Sequence, residues 1–500
     1  MRQPWRFHPE TLPNDLAKHL GLGKHGLEKE ALRITQNGAL ALTPHPVGLG
    51  SPLHCPYITT DFSESQPEFI TPPFDTPRAA YEFLQEIHAF AVTAAGDELL
   101  WTASMPPRLP DEAAIPIARY GDTPSAKSKE IYRRGLALRY GKAIQMVCGV
   151  HYNFSFCEAL WPLLHQYTQS REPLPAFINR HYFALARNFL RYRWLVIYLF
   201  GASAAVDASY TPKALQQMEL FDGETYYQPY ATSLRMSRLG YSNAEGAELS
   251  ISFNSLEQYI ADLRRAIATP HPPYAAFGLS QNGEPHQLSV NQLQIENEYY
   301  APIRVKRTPH GEESSLDALE KRGVAYIEVR ASDLDPFNPC GVDYHRLYFM
   351  HTMLVTCLLQ ESPYLSTEAM QEIDQNQYRV AHEGRMPGFT VTHGGAPLPL
   401  AEIGTALLND MMQVAALLDA AAGTVCHSSA VAAQFGKLTQ PDLCPSAQML
   451  KEMREHTCSY LEFGLKQARK YREIYLQGSM NPTLQALLQC PECQLAFDEV

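Results

Sequence analysis

Carboxylates occupy strand-like stretches whose neighbours are apolar, and few folds can accommodate that. In His25-Gly26-Leu27-Glu28-Lys29-Glu30-Ala31-Leu32-Arg33, alternate side chains of an extended backbone share a face, which sets Glu28 beside Glu30. Like charges at that spacing repel unless a cation lies between them. A second run, Thr60-Asp61-Phe62-Ser63-Glu64-Ser65-Gln66-Pro67-Glu68-Phe69, carries Asp61 and Glu68 in an otherwise apolar strand context. A third puts Gln145, His151, Asn153 and Ser155 on one face and Val150, Tyr152 and Phe154 on the other. In a fourth, Tyr326, Glu328 and Arg330 align. One acidic residue in a strand marks only a solvated edge. Four polar-faced strands call for a sheet with one face on the core and the other lining a charged cleft.

Strands are expected at 25–36, 57–71, 145–156, 247–253, 287–299 and 324–331. Apolar periodicity predicts helices at 78–95, 176–199, 401–422 and 446–476, with another at 255–268 after the cap Asn254-Ser255. The result is an α+β fold on a largely antiparallel sheet. It is read as one catalytic domain over 1–500, with a helical portion at about 400–480 and a tail at 481–500. No dinucleotide fingerprint and no phosphate loop is present, so ATP, if used, is held in another way.

A net charge of −12 speaks against nucleic acid or an anionic membrane as partner. Met1-Arg2-Gln3-Pro4-Trp5-Arg6 leads into no apolar stretch of the kind a secretory signal needs. The most apolar run, Trp194 to Ala205, is too short to span a bilayer. The ten cysteines are scattered, as reduced thiols of a cytoplasmic protein would be. Cys490 and Cys493 have metal-like spacing but lack the second pair that a structural zinc site requires.

Carboxylates with a single histidine suit hard Mg2+ or Mn2+ better than zinc. Such ions would bridge nucleotide phosphates, and Arg235 and Arg330 would stabilise a transferring phosphoryl group or clamp a carboxylate. Spacing and composition therefore reach a magnesium-dependent phosphoryl-transfer or ligase cleft.

The chain also resembles the proteobacterial glutamate–cysteine ligase family, whose reaction is the first step of glutathione synthesis. The resemblance rests on Gly26-Leu27-Glu28-Lys29-Glu30, Ile58-Thr59-Thr60-Asp61-Phe62, Tyr132-Arg133-Arg134-Gly135-Leu136 and Gly149-Val150-His151-Tyr152-Asn153-Phe154-Ser155. It continues through Tyr198-Leu199-Phe200-Gly201-Ala202-Ser203, Pro229-Tyr230-Ala231-Thr232-Ser233-Leu234-Arg235, Leu293-Gln294-Ile295-Glu296-Asn297-Glu298, Tyr300-Ala301-Pro302-Ile303-Arg304 and Tyr326-Ile327-Glu328-Val329-Arg330. It implies a glutamine-synthetase-like fold, a curved sheet forming a funnel with helices behind it. It also implies two steps: ATP phosphorylates the γ-carboxylate of L-glutamate, and the amine of L-cysteine displaces the phosphate.

Carried over by the same resemblance, Glu28, Glu30, Asp61, Glu68, His151 and Glu328 look like ligands of Mg2+ (or Mn2+). Arg330 and Arg235 look like the catalytic arginines, and Gln145 and Asn153 lie where glutamate would sit. Phe62, Tyr132, Leu136, Tyr241 and Tyr300 look like a cup for cysteine. Arg133 and Arg304 are candidates for nucleotide contact, with Lys306 beside them, against a solvated-face alternative. Feedback inhibition by glutathione and a monomeric state are expected. A related ligase with another amine acceptor is the alternative reading. The stretches 205–228 and 363–380 and the tail from about Gln477 depart from the family pattern. No second ligation domain is expected.

Overall fold

The polar-faced runs pair with one another. In the computed structural model, which describes residues 3–240 and 249–478 together with Pro482 and Ala486, they build one six-stranded sheet. Its strands are β1 (Gly23–Glu30), β2 (Ile58–Thr60), β3 (Pro67–Ile70), β4 (Gly149–Phe156), β5 (Ile303–Lys306) and β6 (Tyr326–Asp333). They are ordered β5-β6-β4-β1-β3-β2, and every neighbouring pair is antiparallel. Leu27, Phe69, Phe154, Ile327 and Val329 are fully buried on the sheet's core face. On the opposite face the register sets Glu28 against His151, Glu30 against Glu68, and Glu328 between Asn153 and Arg304.

The main helices are α1 (Pro77–Ala94), α2 (Pro124–Tyr140), α3 (Leu174–Phe200), α4 (Leu256–Ala268), α5 (Tyr344–Leu359), α6 (Thr367–Glu383), α7 (Leu400–Ala422), α8 (Pro445–Glu455) and α9 (Tyr460–Gln477). Buried through most of its length, α3 packs against β5 and β6, while α1 packs against β1 and β3. A second tier, α5, α6 and α9, covers α3 and α1, and α7 packs on α5. Ser255 caps α4 as expected, accepting from the Gln258 amide. Among the described residues, no helix is long and apolar enough to cross a membrane.

Several sequence expectations are corrected. The run 57–71 is not one strand but a hairpin, β2 and β3, turned through Ser63-Glu64-Ser65-Gln66. The amide of Gln66 donates to the Ser63 carbonyl at 2.9 Å, the kind of serine-assisted turn that interrupts a ladder. The run 145–156 holds a short 3-10 turn, Ala143–Met146, before β4 begins at Gly149. The stretch 287–299 forms no strand. Its backbone is satisfied by side chains instead: Leu288 N donates to Gln294 Oε1 at 2.9 Å, and Gln294 N donates to Glu298 Oε2 at 2.6 Å.

Residues 249–253 are likewise unpaired with any ladder, and Ser252 N donates to Asp262 Oδ2 at 2.9 Å. The single helix expected over 446–476 breaks at Thr457, whose φ is 49°; Ser459 and Glu462 then form a capping box that starts α9. Three long helices, α2, α5 and α6, were not anticipated. Cys490 and Cys493 lie outside the described residues, as does nearly all of the tail 481–500. The eight cysteines within them are free thiols.

Candidate active site

A cavity of about 410 Å3 opens on the carboxylate face of the sheet. Strand β1 contributes Glu28 and Glu30, β3 Glu68, β4 His151, β5 Arg304 and β6 Arg330. The turn after β2 adds Asp61 and Phe62, and Gln145 enters from the 3-10 turn before β4. Helix α2 presents Lys129, Tyr132, Arg133 and Leu136. These are spaced three, four and seven residues from the first, so they occupy one helical face. Arg235 and Tyr300 complete the wall among the named candidates.

Asn153, Glu328 and Lys306 do not line the cavity. They lie against it: Asn153 Nδ2 donates to Glu28 Oε1 at 2.7 Å, and Glu328, 1 % exposed, pairs with Arg330 and Lys306 at 2.6 and 3.5 Å. Tyr241 lies outside the described residues.

Around Glu68 three carboxylates, Glu28, Asp61 and Glu30, stand against one arginine, Arg330. Burial, then the charges of Glu28, Asp61 and Glu30, push the Glu68 carboxyl well above its ordinary range. Burial and then Glu30 push Asp61 up to about 6. Glu328 behaves oppositely. Burial alone would raise it, but Lys306, Arg330, Arg304 and His151 hold it well below the usual carboxylate value.

Three of these side chains converge: one ligand atom each from Glu28, Glu68 and His151 lies within 4.8 Å of the others. His151 stands between carboxylates, with Nδ1 3.3 Å from Glu28 Oε2 and Nε2 3.5 Å from Glu30 Oε1. Its buried Nε2 has no hydrogen-bond partner. An orphaned imidazole nitrogen beside uncompensated carboxylates fits a hard divalent cation.

The arginines are fixed by backbone carbonyls. Arg235 donates from Nη1 and Nη2 to the carbonyl of Arg330 at 3.2 Å, and from Nη1 to that of Ser332 at 3.3 Å. Arg330 itself stands in a β-bulge, since the β4–β6 register shifts between Val329 and Ser332. Bulges re-aim side chains, and here the guanidinium reaches both Glu328 and, at 3.3 Å, His151 Nδ1. Arg133 is held by the carbonyls of Asp61, Thr60 and Lys129 and lies over the Tyr120 ring. Arg304 donates to the carbonyls of Asn297 and Tyr299.

Sequence reasoning missed Lys129, Ile144, Val147, Ile295 and Asn297, which also line the cavity. For Lys129 the signal was available, because it sits one turn before Tyr132 and Arg133. Ile144 and Val147 flank Gln145, but only the turn that replaces the expected strand brings them inward.

Acidic side chains and fixed arginines gathered on one face of an antiparallel sheet suit a phosphoryl-transfer or ligase enzyme. The sequence model of glutamate-cysteine ligase matches residues 11–380. A glutamate–cysteine ligase of Pseudomonas paraeruginosa is 47 % identical over 462 residues, covering 92 % of this chain and 88 % of that protein. The crystal structure of a Francisella tularensis glutamate–cysteine ligase in complex with AMP superposes with a TM-score of 0.86 at 31 % identity, covering 98 % of this chain and 93 % of that one. A bifunctional glutathione synthetase from Pasteurella multocida gives 0.75 at 27 % identity, covering 93 % of this chain and 54 % of its own. The chain belongs to the glutamate–cysteine ligase family.

Proposed function

We propose that this chain joins the γ-carboxylate of L-glutamate to the amine of L-cysteine at the expense of ATP, giving γ-L-glutamyl-L-cysteine, ADP and phosphate. The observation that carries the reading is the shared cavity, in which the Glu28, Glu68 and His151 group faces Arg235 and Arg330.

A carboxylate is a poor electrophile until one oxygen leaves as phosphate. Transfer of a phosphoryl group to the γ-carboxylate provides that leaving group. Attack of the amine nitrogen on the γ-carbon then forms the C–N bond as the C–O bond to phosphate breaks. Glu28, Glu68 and His151, with Glu30 and Asp61 alongside, would hold Mg2+ (or Mn2+), which would neutralise the phosphate charge. Arg330 and Arg235 steady the charge in flight, and their anchors, Glu328 for Arg330 and backbone carbonyls for Arg235, mean little reorganisation is needed at that moment.

Gln145 suits the glutamate, because its buried Nε2 lines the cavity and has no partner of its own. Phe62, Tyr132, Leu136 and Tyr300 offer an apolar wall for the small acceptor. Asn153 and Glu328 act through their neighbours, Asn153 by orienting Glu28 and Glu328 by orienting Arg330. Arg133 and Arg304 lie on the cavity wall, where nucleotide phosphate is the anion they would meet.

The test is ADP release from Mg-ATP with glutamate alone, cysteine alone and both together, with the product weighed by mass spectrometry. Release that needs both amino acids, with the mass of γ-glutamylcysteine, is expected. Release with glutamate that ignores cysteine would assign the acceptor to a different amine.

A further inference from the structure

Beyond the catalytic cavity, a second pocket of about 320 Å3 lies on the far side of Tyr300, whose ring lines both. We propose that this pocket is a binding site for a small L-amino acid with an apolar side chain, held as its zwitterion.

Three observations converge. The first is a buried donor and a buried acceptor that the fold leaves unused. Arg193 of α3 is 2 % exposed, and its Nε has no hydrogen-bond partner; Gln377 of α6 is 3 % exposed, and its Oε1 has none either. Both side chains line the pocket. An unpaired buried polar atom is costly, and two on residues of one wall point to a ligand that would answer them.

The second is charge. Asp374, whose side chain is 45 % exposed, pairs with Nη2 of Arg193 and also faces the pocket. The wall therefore carries one cation and one anion. A ligand of net charge would leave one charge uncompensated in a confined site. A zwitterion matches both, with its carboxylate towards Arg193 and its ammonium towards Asp374 and Gln377. The third is shape: Ile251, Phe253 and Met370 supply apolar wall, and the volume lies at the small end of ligand cavities, roughly 300–1,000 Å3.

Met370, Asp374, Gln377 and Tyr378 recur at helical spacing along α6. Because Tyr300 is a common wall, an occupant would bear on the neighbouring acceptor side of the catalytic cavity.

The test is calorimetric titration of the full chain with L-leucine and L-phenylalanine, which needs no turnover and so stands apart from the assay of the reaction itself. One equivalent is expected to bind, and to remain bound in saturating L-glutamate and L-cysteine. 4-Methylpentanoate and isoamylamine, each lacking one charge of leucine, should bind at least roughly tenfold more weakly, the loss expected for a charge-assisted hydrogen bond. Asp374→Asn and Met370→Trp should weaken leucine binding by a similar factor while leaving ADP release intact. No binding of either amino acid up to about 10 mM, where affinity is nominal, would overturn the proposal. So would competition by glutamate and cysteine, equal affinity for leucine and its singly charged analogues, or indifference to both substitutions.

Discussion

The guanidinium of Arg235 rests against Gly149, where a β-carbon would stand 2.1 Å from Nη2. The amide of the same glycine donates to Glu30 Oε2 at 2.7 Å. Gly149 thus joins an arginine proposed for catalysis to a candidate metal ligand through one residue without a side chain. Gly149→Ala is expected to displace Arg235, lowering kcat/KM by about a hundredfold or more, while overpacking costs about 1–3 kcal/mol. Steady-state kinetics beside a denaturation curve would separate the two effects, and unchanged kinetics would remove the close approach from the mechanism.

Glu328 is the anchor for two cations rather than a wall of the cavity. Glu328→Ala takes the shared partner from Arg330 and Lys306, and removal of one partner of a buried pair costs on the order of 3–5 kcal/mol. Loss of turnover is therefore expected together with a lowered melting temperature. Full activity in the variant would mean that Arg330 needs no such anchor.

Tyr300 is placed to act on the acceptor. Tyr300→Ala is expected to raise KM for cysteine about tenfold while KM for glutamate moves less than about threefold. Comparable rises in both would shift the ring away from the acceptor subsite.

Protonated carboxylates do not ligate cations. With Asp61 lifted to about 6 and Glu68 raised well above its ordinary range, the Mg2+ concentration needed for half-maximal activity should rise as pH falls through about 6. Glu68→Gln should raise it at neutral pH too, by roughly tenfold or more. A magnesium requirement flat from pH 8 to about 5.5 would count against these ligands.

Acid stability follows from histidines kept neutral by burial. Burial, followed by the charge of His427, lowers His25 to about 3; burial likewise lowers His181 to about 3 and His45 to about 4. His88 and His351 lie well below their ordinary value for the same first reason. The unfolded chain takes up these protons near 6.5 and the folded chain does not, so stability is intact above 6.5 and declines as pH falls toward 3. At pH 5 each fully depressed histidine contributes about 2 kcal/mol of destabilisation. Urea midpoints that hold constant from pH 7 to about 5 would contradict this.

What the sequence made legible follows the period of two. Glu28, Glu30 and His151 were placed on one face because strands β1 and β4 run straight through them, and Tyr152 and Phe154 went to the core for the same reason. The alternation fails where the ladder does. Asp61 and Glu68 read as members of one strand, although a serine-rich turn separates them. The bulge at Arg330 leaves no mark in composition, because one extra residue changes pairing and not polarity. The face of α2 bearing Lys129, Tyr132, Arg133 and Leu136 was written at helical spacing but hidden among charged neighbours. The pocket behind Tyr300 needs Arg193 and Gln377 brought together from distant parts of the chain, which no local pattern encodes.

The excess of negative charge around Glu68 also has a consequence for how this protein can change over time. Neutral replacements at that position relieve repulsion, so they make the fold easier to keep while ruining what it is for. Random drift would therefore tend to erode the site first and improve the scaffold as it did so. A robust, readily expressed and inactive descendant is the outcome to look for when selection on the reaction is relaxed.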